Sequence, residues 1–284
     1  MKTPDRKRLE EIMGQFMNEA IALHRISGAE IKILQNDEPL LEAVYGNKTL
    51  TEPLTPGCIY RIASMTKPIT ALAFLLACDE GLMAPEDELK TYLPAFDRMP
   101  VAKETPDGYE IVKTSETPIL MWHLLSHVSG IGCDDLGNRL FFDEIPLSCK
   151  QSLTDVVNAI AQQPLAFEPM TKSAYSATAS FDVLARVIEI TSGRPFEAYI
   201  KERICDPLGM IHTSFFPSRE EYKNMITLTD VDKDNNLIAG KTTPGCVFEN
   251  LGYPSAGAGL ASTADDYVKF ASFLLHDGLT ADGR

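Results

Sequence analysis

At 284 residues and 44% hydrophobic content, the chain can bury a substantial core, as one large domain or as two intertwined subdomains. Its formal net charge of −14 argues against nucleic-acid binding and against attraction to anionic membranes, which both favour Lys/Arg-rich surfaces. Six cysteines, Cys58, Cys78, Cys133, Cys149, Cys205 and Cys246, lack Cys-x-x-Cys spacing, so neither a zinc site nor a compact disulfide framework is indicated, and unpaired thiols suit a reducing compartment.

The first eight residues lead into an amphipathic helix ending near Leu23, with Leu9, Ile12, Met13, Phe16 and Met17 on one face. This start is not an apolar signal core, and no run of transmembrane length follows, so a cytoplasmic protein is expected. A strand pair is predicted over 30–34 and 40–45, turned at Asn36-Asp37-Glu38-Pro39 and ending near Gly46. A strand-like run at 58–62 then gives way to a long apolar helix pattern from Met65 to about Glu80. Further helices are predicted over 120–125, 153–162, 180–191 and 196–204, separated by loops rich in Pro and Gly. The acidic run 230–234 has Asn235 where a calcium loop needs glycine and Lys241 where it needs a bidentate glutamate, which leaves a solvated hairpin turn. The five histidines show no metal spacing.

The helix that opens near Met65 carries the first chemical signal. Residues 64–67 read Ser-Met-Thr-Lys, and positions three apart on a helix share a face with Cβ atoms about 5–6 Å apart. Lys67 can therefore reach the Ser64 hydroxyl, a weak nucleophile that needs a neighbouring base or cation. Pro68, tolerated best in a first helical turn, keeps the helix from starting far upstream and places Ser64 at its N-terminus, where unpaired N–H groups favour an oxyanion. Taken alone, a Ser-x-x-Lys tetrad is an N-cap with a surface lysine in many proteins.

Its setting is more specific. Flanked by Tyr60-Arg61-Ile62-Ala63 and Pro68-Ile69-Thr70-Ala71, the tetrad resembles that of the serine β-lactamase and penicillin-binding-protein superfamily, and more narrowly its class C branch and the related family VIII carboxylesterases. Four further segments are similar in the expected order. They are Trp122-His123-Leu124-Leu125-Ser126-His127-Val128-Ser129-Gly130; Phe167-Glu168-Pro169 through Tyr175-Ser176; Asp206-Pro207-Leu208-Gly209-Met210; and the stretch from Gly257-Ala258-Gly259 to Asp265-Asp266. The resemblance covers nearly the whole chain.

By that resemblance Ser64, Lys67 and Tyr175 are the catalytic residues, with Ala177 and His127 at the substrate pocket. A phenol with an ordinary pKa near about 10 is a poor base at neutral pH, but a lysine against its oxygen favours the phenolate, which can take and return the Ser64 proton. Many relatives carry Tyr-x-Asn; here Ala177 fills the third position, which fits the esterases better than the β-lactamases. Met170 replaces the glycine usual after the proline, and Ser173 stands where an aromatic is common. The family's third motif, a Lys-Thr-Gly, His-x-Gly or Trp-x-Gly triplet, is not found: Lys241-Thr242-Thr243 precedes the 257–266 signature instead of following it. A C-terminally shortened member is therefore expected.

The implied fold is α+β, β-lactamase/transpeptidase-like, with an antiparallel sheet flanked by helices, a mostly helical subdomain, and the C-terminal sheet strands missing. Residues 1–62 would form the N-terminal helix and strands, 63–217 the helical subdomain with the Ser/Lys helix and the Tyr motif, and 218–284 a hairpin and helix returning to the first part. The function implied first is a serine hydrolase forming an acyl-enzyme with carboxylic esters, of carboxylesterase or acyltransferase type, with a pocket-shaping insert around 101–118. A β-lactamase or D-Ala-D-Ala carboxypeptidase uses the same nucleophile, and a catalytically impaired binding protein is the third reading. The expected partner is a small-molecule ester or amide; no metal, organic cofactor, nucleic acid or membrane is implied, and the oligomeric state is left open.

Overall fold

The structure, a computed structural model, describes residues 5–145, 150–240 and 252–279. Cys149, Cys246 and Lys241-Thr242-Thr243 lie outside the described residues. In chain order the elements are α1 (Arg6–Ala22), β1 (Gly28–Gln35), β2 (Glu38–Gly46), β3 (Tyr60–Arg61), α2 (Thr66–Asp79), β4 (Pro100–Thr105), β5 (Gly108–Thr114), α3 (Met121–Leu125), α4 (Asp134–Glu144), α5 (Leu153–Ile160), α6 (Ala179–Ser192), α7 (Phe196–Ile200), α8 (Asp206–Leu208), α9 (Arg219–Lys223), β6 (Thr229–Val231), β7 (Leu237–Ala239), β8 (Ala261–Ser262) and α10 (Ala264–Leu275). The chain divides into two units, one from residues 1–61, 206–243 and 261–284, the other from 62–205 and 244–260.

In the first unit, β1 and β2 form the predicted antiparallel hairpin. Asn36 and Asp37 at its tip both hold left-handed backbone, with φ of 51° and 64°, the mirror-image turn whose twist matches the flanking strands. Helix α1 packs on β2 and α10 on β1. The apolar stripe predicted for α1 forms, yet none of the helix's residues is buried, and Ile12 and Phe16 remain 53% and 61% exposed. Among the described residues no third strand joins the β1–β2 hairpin. Strand β3 pairs with β8, Tyr60 opposite Ser262, and beside that pair Ile59, Met225 and Ala261 make a small core. At the head of α10 the buried Asp266 accepts from His212 N at 2.6 Å, Thr213 Oγ1 at 3.1 Å and Lys269 Nζ at 2.8 Å. The acidic run 230–234 lies in the β6–β7 hairpin, where Asp232 takes the N–H groups of Asp234 and Asn236 and so caps its own turn.

Helix α6 is the axis of the second unit. Phe181, Asp182, Val183, Leu184, Ala185, Val187 and Ile188 are all buried, and the helix packs against α2, α3, α5 and α7 before ending at Gly193, whose φ of 68° makes the left-handed C-terminal stop. Helix α2 buries Lys67, Ile69, Thr70, Ala73, Phe74 and Ala77. The single helix predicted over 196–204 stops at Ile200, and Lys201–Cys205 widens into a π turn. Two elements depart from expectation. Helix α4 forms where no helix is predicted, and the 101–118 region holds the β4–β5 hairpin. That hairpin is pinned by Glu168, which accepts from Ser115 Oγ at 3.1 Å, Glu116 N at 3.0 Å and Thr117 N at 2.8 Å and pairs with Lys113 at 2.9 Å. Among the described residues no helix is long and apolar enough to cross a membrane.

Candidate active site

Ser64 sits in a 3-10 turn, Ala63–Met65, directly ahead of α2. Ala63 holds left-handed backbone, with φ of 44°, a conformation that costs an L-residue about 1–2 kcal/mol. Past this bend Ser64 faces solvent while Thr66 and Lys67 turn inward. The predicted three-residue spacing then brings the pair together. Lys67, only 7% exposed, directs Nζ at Ser64 Oγ (3.2 Å), the Ala177 carbonyl (2.6 Å) and the Gly257 carbonyl (2.8 Å). Three acceptors match the three N–H groups of an ammonium. The same nitrogen lies 4.8 Å from the Tyr175 ring centroid and 5.3 Å from that of Phe181, where π faces attract a cation.

The Tyr175 hydroxyl is hydrogen-bonded to Ser64 Oγ at 2.6 Å. Partial burial pushes the phenol up, but hydrogen bonding with Lys67 and Ser64 and the charge of Lys67 more than offset this and hold it below its ordinary value. Ser64, Lys67 and Tyr175, proposed from sequence, are therefore in mutual contact. Ala177 enters through its carbonyl rather than its methyl group. His127 packs its ring 4.8 Å from that of Tyr175, and its Nδ1 accepts from Ser176 N at 3.2 Å. Burial, and then the charge of Lys67, push this imidazole down, and the bond from Ser176 N makes Nδ1 the accepting nitrogen. Met170, noted for replacing a glycine, holds φ of 69°, the left-handed region for which glycine is the unstrained choice.

Three contributors are not among the site residues expected from sequence, although Gly257 opens one of the family segments. Gly257 supplies a lysine acceptor, and only glycine fits: a Cβ there would meet Thr178 Cα at 2.6 Å and the Ala177 carbonyl at 2.9 Å. Asp182 on α6 is wholly buried and accepts from Ala256 N at 2.7 Å, Ser255 Oγ at 3.3 Å and Tyr253 Oη at 3.3 Å, fixing the segment that presents Gly257. Burial drives its carboxyl up to about 7 despite those donors. Asn138 on α4 bonds the backbone on both sides of Ser176. A fully apolar flank around Asp182, Phe181 before it and Val183-Leu184 after it, is the signal that marks a buried carboxylate; Asn138 carries none. Among the described residues no three His, Cys, Asp or Glu side chains are placed to share a metal ion.

The Beta-lactamase family profile matches residues 9–284. The chain belongs to the Beta-lactamase family. Within this family, it is 30% identical over 269 residues to an uncharacterized protein of Mycobacterium tuberculosis, covering 91% of this chain and 64% of that one. It is 28% identical over 283 residues to the esterase EstB of Burkholderia gladioli, covering 92% of this chain and 68% of that one. Among solved structures it is similar to EstCE1, described as a hydrolase with promiscuous acyltransferase activity, with a TM-score of 0.78, 22% identity, and 98% and 75% of the two chains covered. Family and fold together place it in the serine β-lactamase and penicillin-binding-protein superfamily with its esterase branch, with the α+β β-lactamase/transpeptidase-like fold. The chain spans 64% of the length of the first of these relatives.

Proposed function

We propose that this protein is a serine hydrolase that forms an acyl-enzyme with carboxylic esters. The observation that carries this reading is the convergence of Lys67 Nζ and Tyr175 Oη on Ser64 Oγ, at 3.2 Å and 2.6 Å. In the proposed cycle Tyr175, as phenolate, takes the Ser64 proton while Oγ bonds to the ester carbonyl carbon. The C–O bond to the alcohol then breaks, and Tyr175 returns the proton to the leaving alkoxide. Water enters by the same route in reverse, and its proton and hydroxide divide between Ser64 and the acyl group. Lys67 holds its position through Ala177 and Gly257 and favours the phenolate by charge.

Esters are favoured over β-lactams because Ala177 offers no side-chain amide to an amide-bearing substrate, and the named esterase and acyltransferase relatives support the same choice. A β-lactamase or D-Ala-D-Ala carboxypeptidase is the second reading, since a relative in Escherichia coli is named a putative D-alanyl-D-alanine carboxypeptidase. Intact-mass analysis after exposure to a short-chain activated ester, and separately to a penicillin, tests both, with Ser64→Ala as control. A Ser64-dependent acyl adduct and ester turnover are the expected result. Rapid turnover of the penicillin instead would move the assignment to the second reading, and a folded chain with no adduct from either reagent would leave only a binding role.

A further inference from the structure

Tyr175 stands on irregular chain, with no helix or strand of its own to hold the phenol on Ser64. Each peptide group around it is nevertheless fixed by a side chain or backbone group from elsewhere in the same unit. Ala174 N donates to the His127 carbonyl at 3.0 Å, and Ser176 N donates to His127 Nδ1 at 3.2 Å. The Tyr175 carbonyl accepts from Asn138 Nδ2 at 3.1 Å, and Ala177 N donates to Asn138 Oδ1 at 2.9 Å. Asn138 Nδ2 also donates to the Asp134 carbonyl at 2.7 Å. Two carbonyls on one side of the amide and an N–H on the other leave a single orientation that satisfies all three.

We infer that Asn138 and His127 are positioning residues, which grip the peptide groups flanking Tyr175 and thereby set its hydroxyl against Ser64. His127 does this from a strained backbone, φ 58°, in the left-handed region that His and Asn tolerate better than most residues. Its Nδ1 faces Ser176 N while its ring lies against Tyr175 and Phe181, with Lys67 the nearby charge. Asn138 supplies from α4 an amide that residue 177, an alanine, does not carry. The inference rests on the proposed role of Tyr175 in proton transfer.

Two variants per residue test it in the chain. Asn138→Ala removes all three side-chain hydrogen bonds, two of them to the Tyr175 segment, and is expected to lower kcat for an activated ester about 10²-fold with little change in KM, the cost typical of misplacing a catalytic group by about 1 Å. Asn138→Asp keeps the acceptor for Ala177 N but sets an oxygen against the Tyr175 carbonyl, so a similar loss is expected in a side chain of the same size. His127→Asn, which restores an acceptor and tolerates the left-handed backbone, should retain most of the kcat that His127→Phe loses. A second readout needs no turnover: NMR titration of ring-labelled tyrosine, with Tyr175 assigned through Tyr175→Phe, should show the phenol shifting up in Asn138→Ala. Unchanged kcat and unchanged titration in the Asn138 variants, or equal loss in both His127 variants, would overturn the inference. A parent protein that hydrolyses no ester but shows the titration shift would instead refute the proposed function and leave the positioning intact.

Discussion

At the scale of single residues, the site depends on one cation with three fixed acceptors. Lys67→Met leaves Ser64 and Tyr175 in place but removes the charge that favours the phenolate, so turnover is expected to fall by on the order of 10²–10⁴. The direction in pH follows from the same interaction. Tyr175 lies below its ordinary value in the parent, so its basic form, and with it turnover, arises at lower pH than for a free phenol; in Lys67→Met the rising limb of the kcat profile should move to higher pH. Gly257→Ala tests the acceptor instead of the donor. The added methyl group, 2.6 Å from Thr178 Cα and 2.9 Å from the Ala177 carbonyl, forces two of the lysine's acceptors apart. Steady-state kinetics should show a lower kcat, and an unaltered kcat would mean that the Gly257 carbonyl is dispensable.

At the scale of elements, the β4–β5 hairpin owes its attachment to one carboxylate. Burial alone would raise Glu168, but Lys113 and the hydroxyl and amide donors of 115–117 bring it down to about 2 from an ordinary 4.5. A lowered carboxyl stabilises the fold fully above the unfolded value and ceases to do so as pH falls through the folded one. Glu168→Gln should therefore be less stable than the parent near neutral pH, with the gap closing as pH drops from about 4.5 towards 2, as read by urea midpoints across that range. This element also shows where the sequence is hard to read. The tetrad helix and the first hairpin follow from spacing and turn chemistry, because Ser64 and Lys67 must share a face and Asn36-Asp37 accept left-handed backbone, whereas the Tyr175 segment is marked only by its resemblance to a family motif. Strand β5 is exposed along nearly its whole length, so it lacks the one-sided alternation that betrays a strand. Helix α4 opens on Asp134 in left-handed backbone and carries Gly137 where the backbone of Gly132 leaves no room for a Cβ, so tertiary packing overrides a poor local propensity. Asn138, which that helix presents to Tyr175, is invisible for the same reason.

At the scale of the whole molecule, the two units differ in how they are built. The second unit centres on an α6 buried along nearly its whole length and an α2 with one face buried. The first holds α1, in which no residue is buried, and a β1 whose residues are all partly exposed. Local opening is cheapest where few apolar groups are buried. Hydrogen exchange followed by mass spectrometry should therefore find the amides of α1 and β1 exchanging well before those of α2 and α6, and equal protection throughout would contradict this. The order of family segments along the chain makes the fold legible at this scale, since five motifs in sequence constrain topology more than any element prediction does.

The three oxygens around Lys67 belong to residues 3, 110 and 190 positions further along the chain or before it. A ribosome makes Ser64 and Lys67 long before it makes Gly257. Until that glycine has emerged and docked, the lysine lacks its last acceptor. The Ser-x-x-Lys turn is thus a local feature of the sequence, whereas the full set of partners around its lysine is a product of tertiary folding.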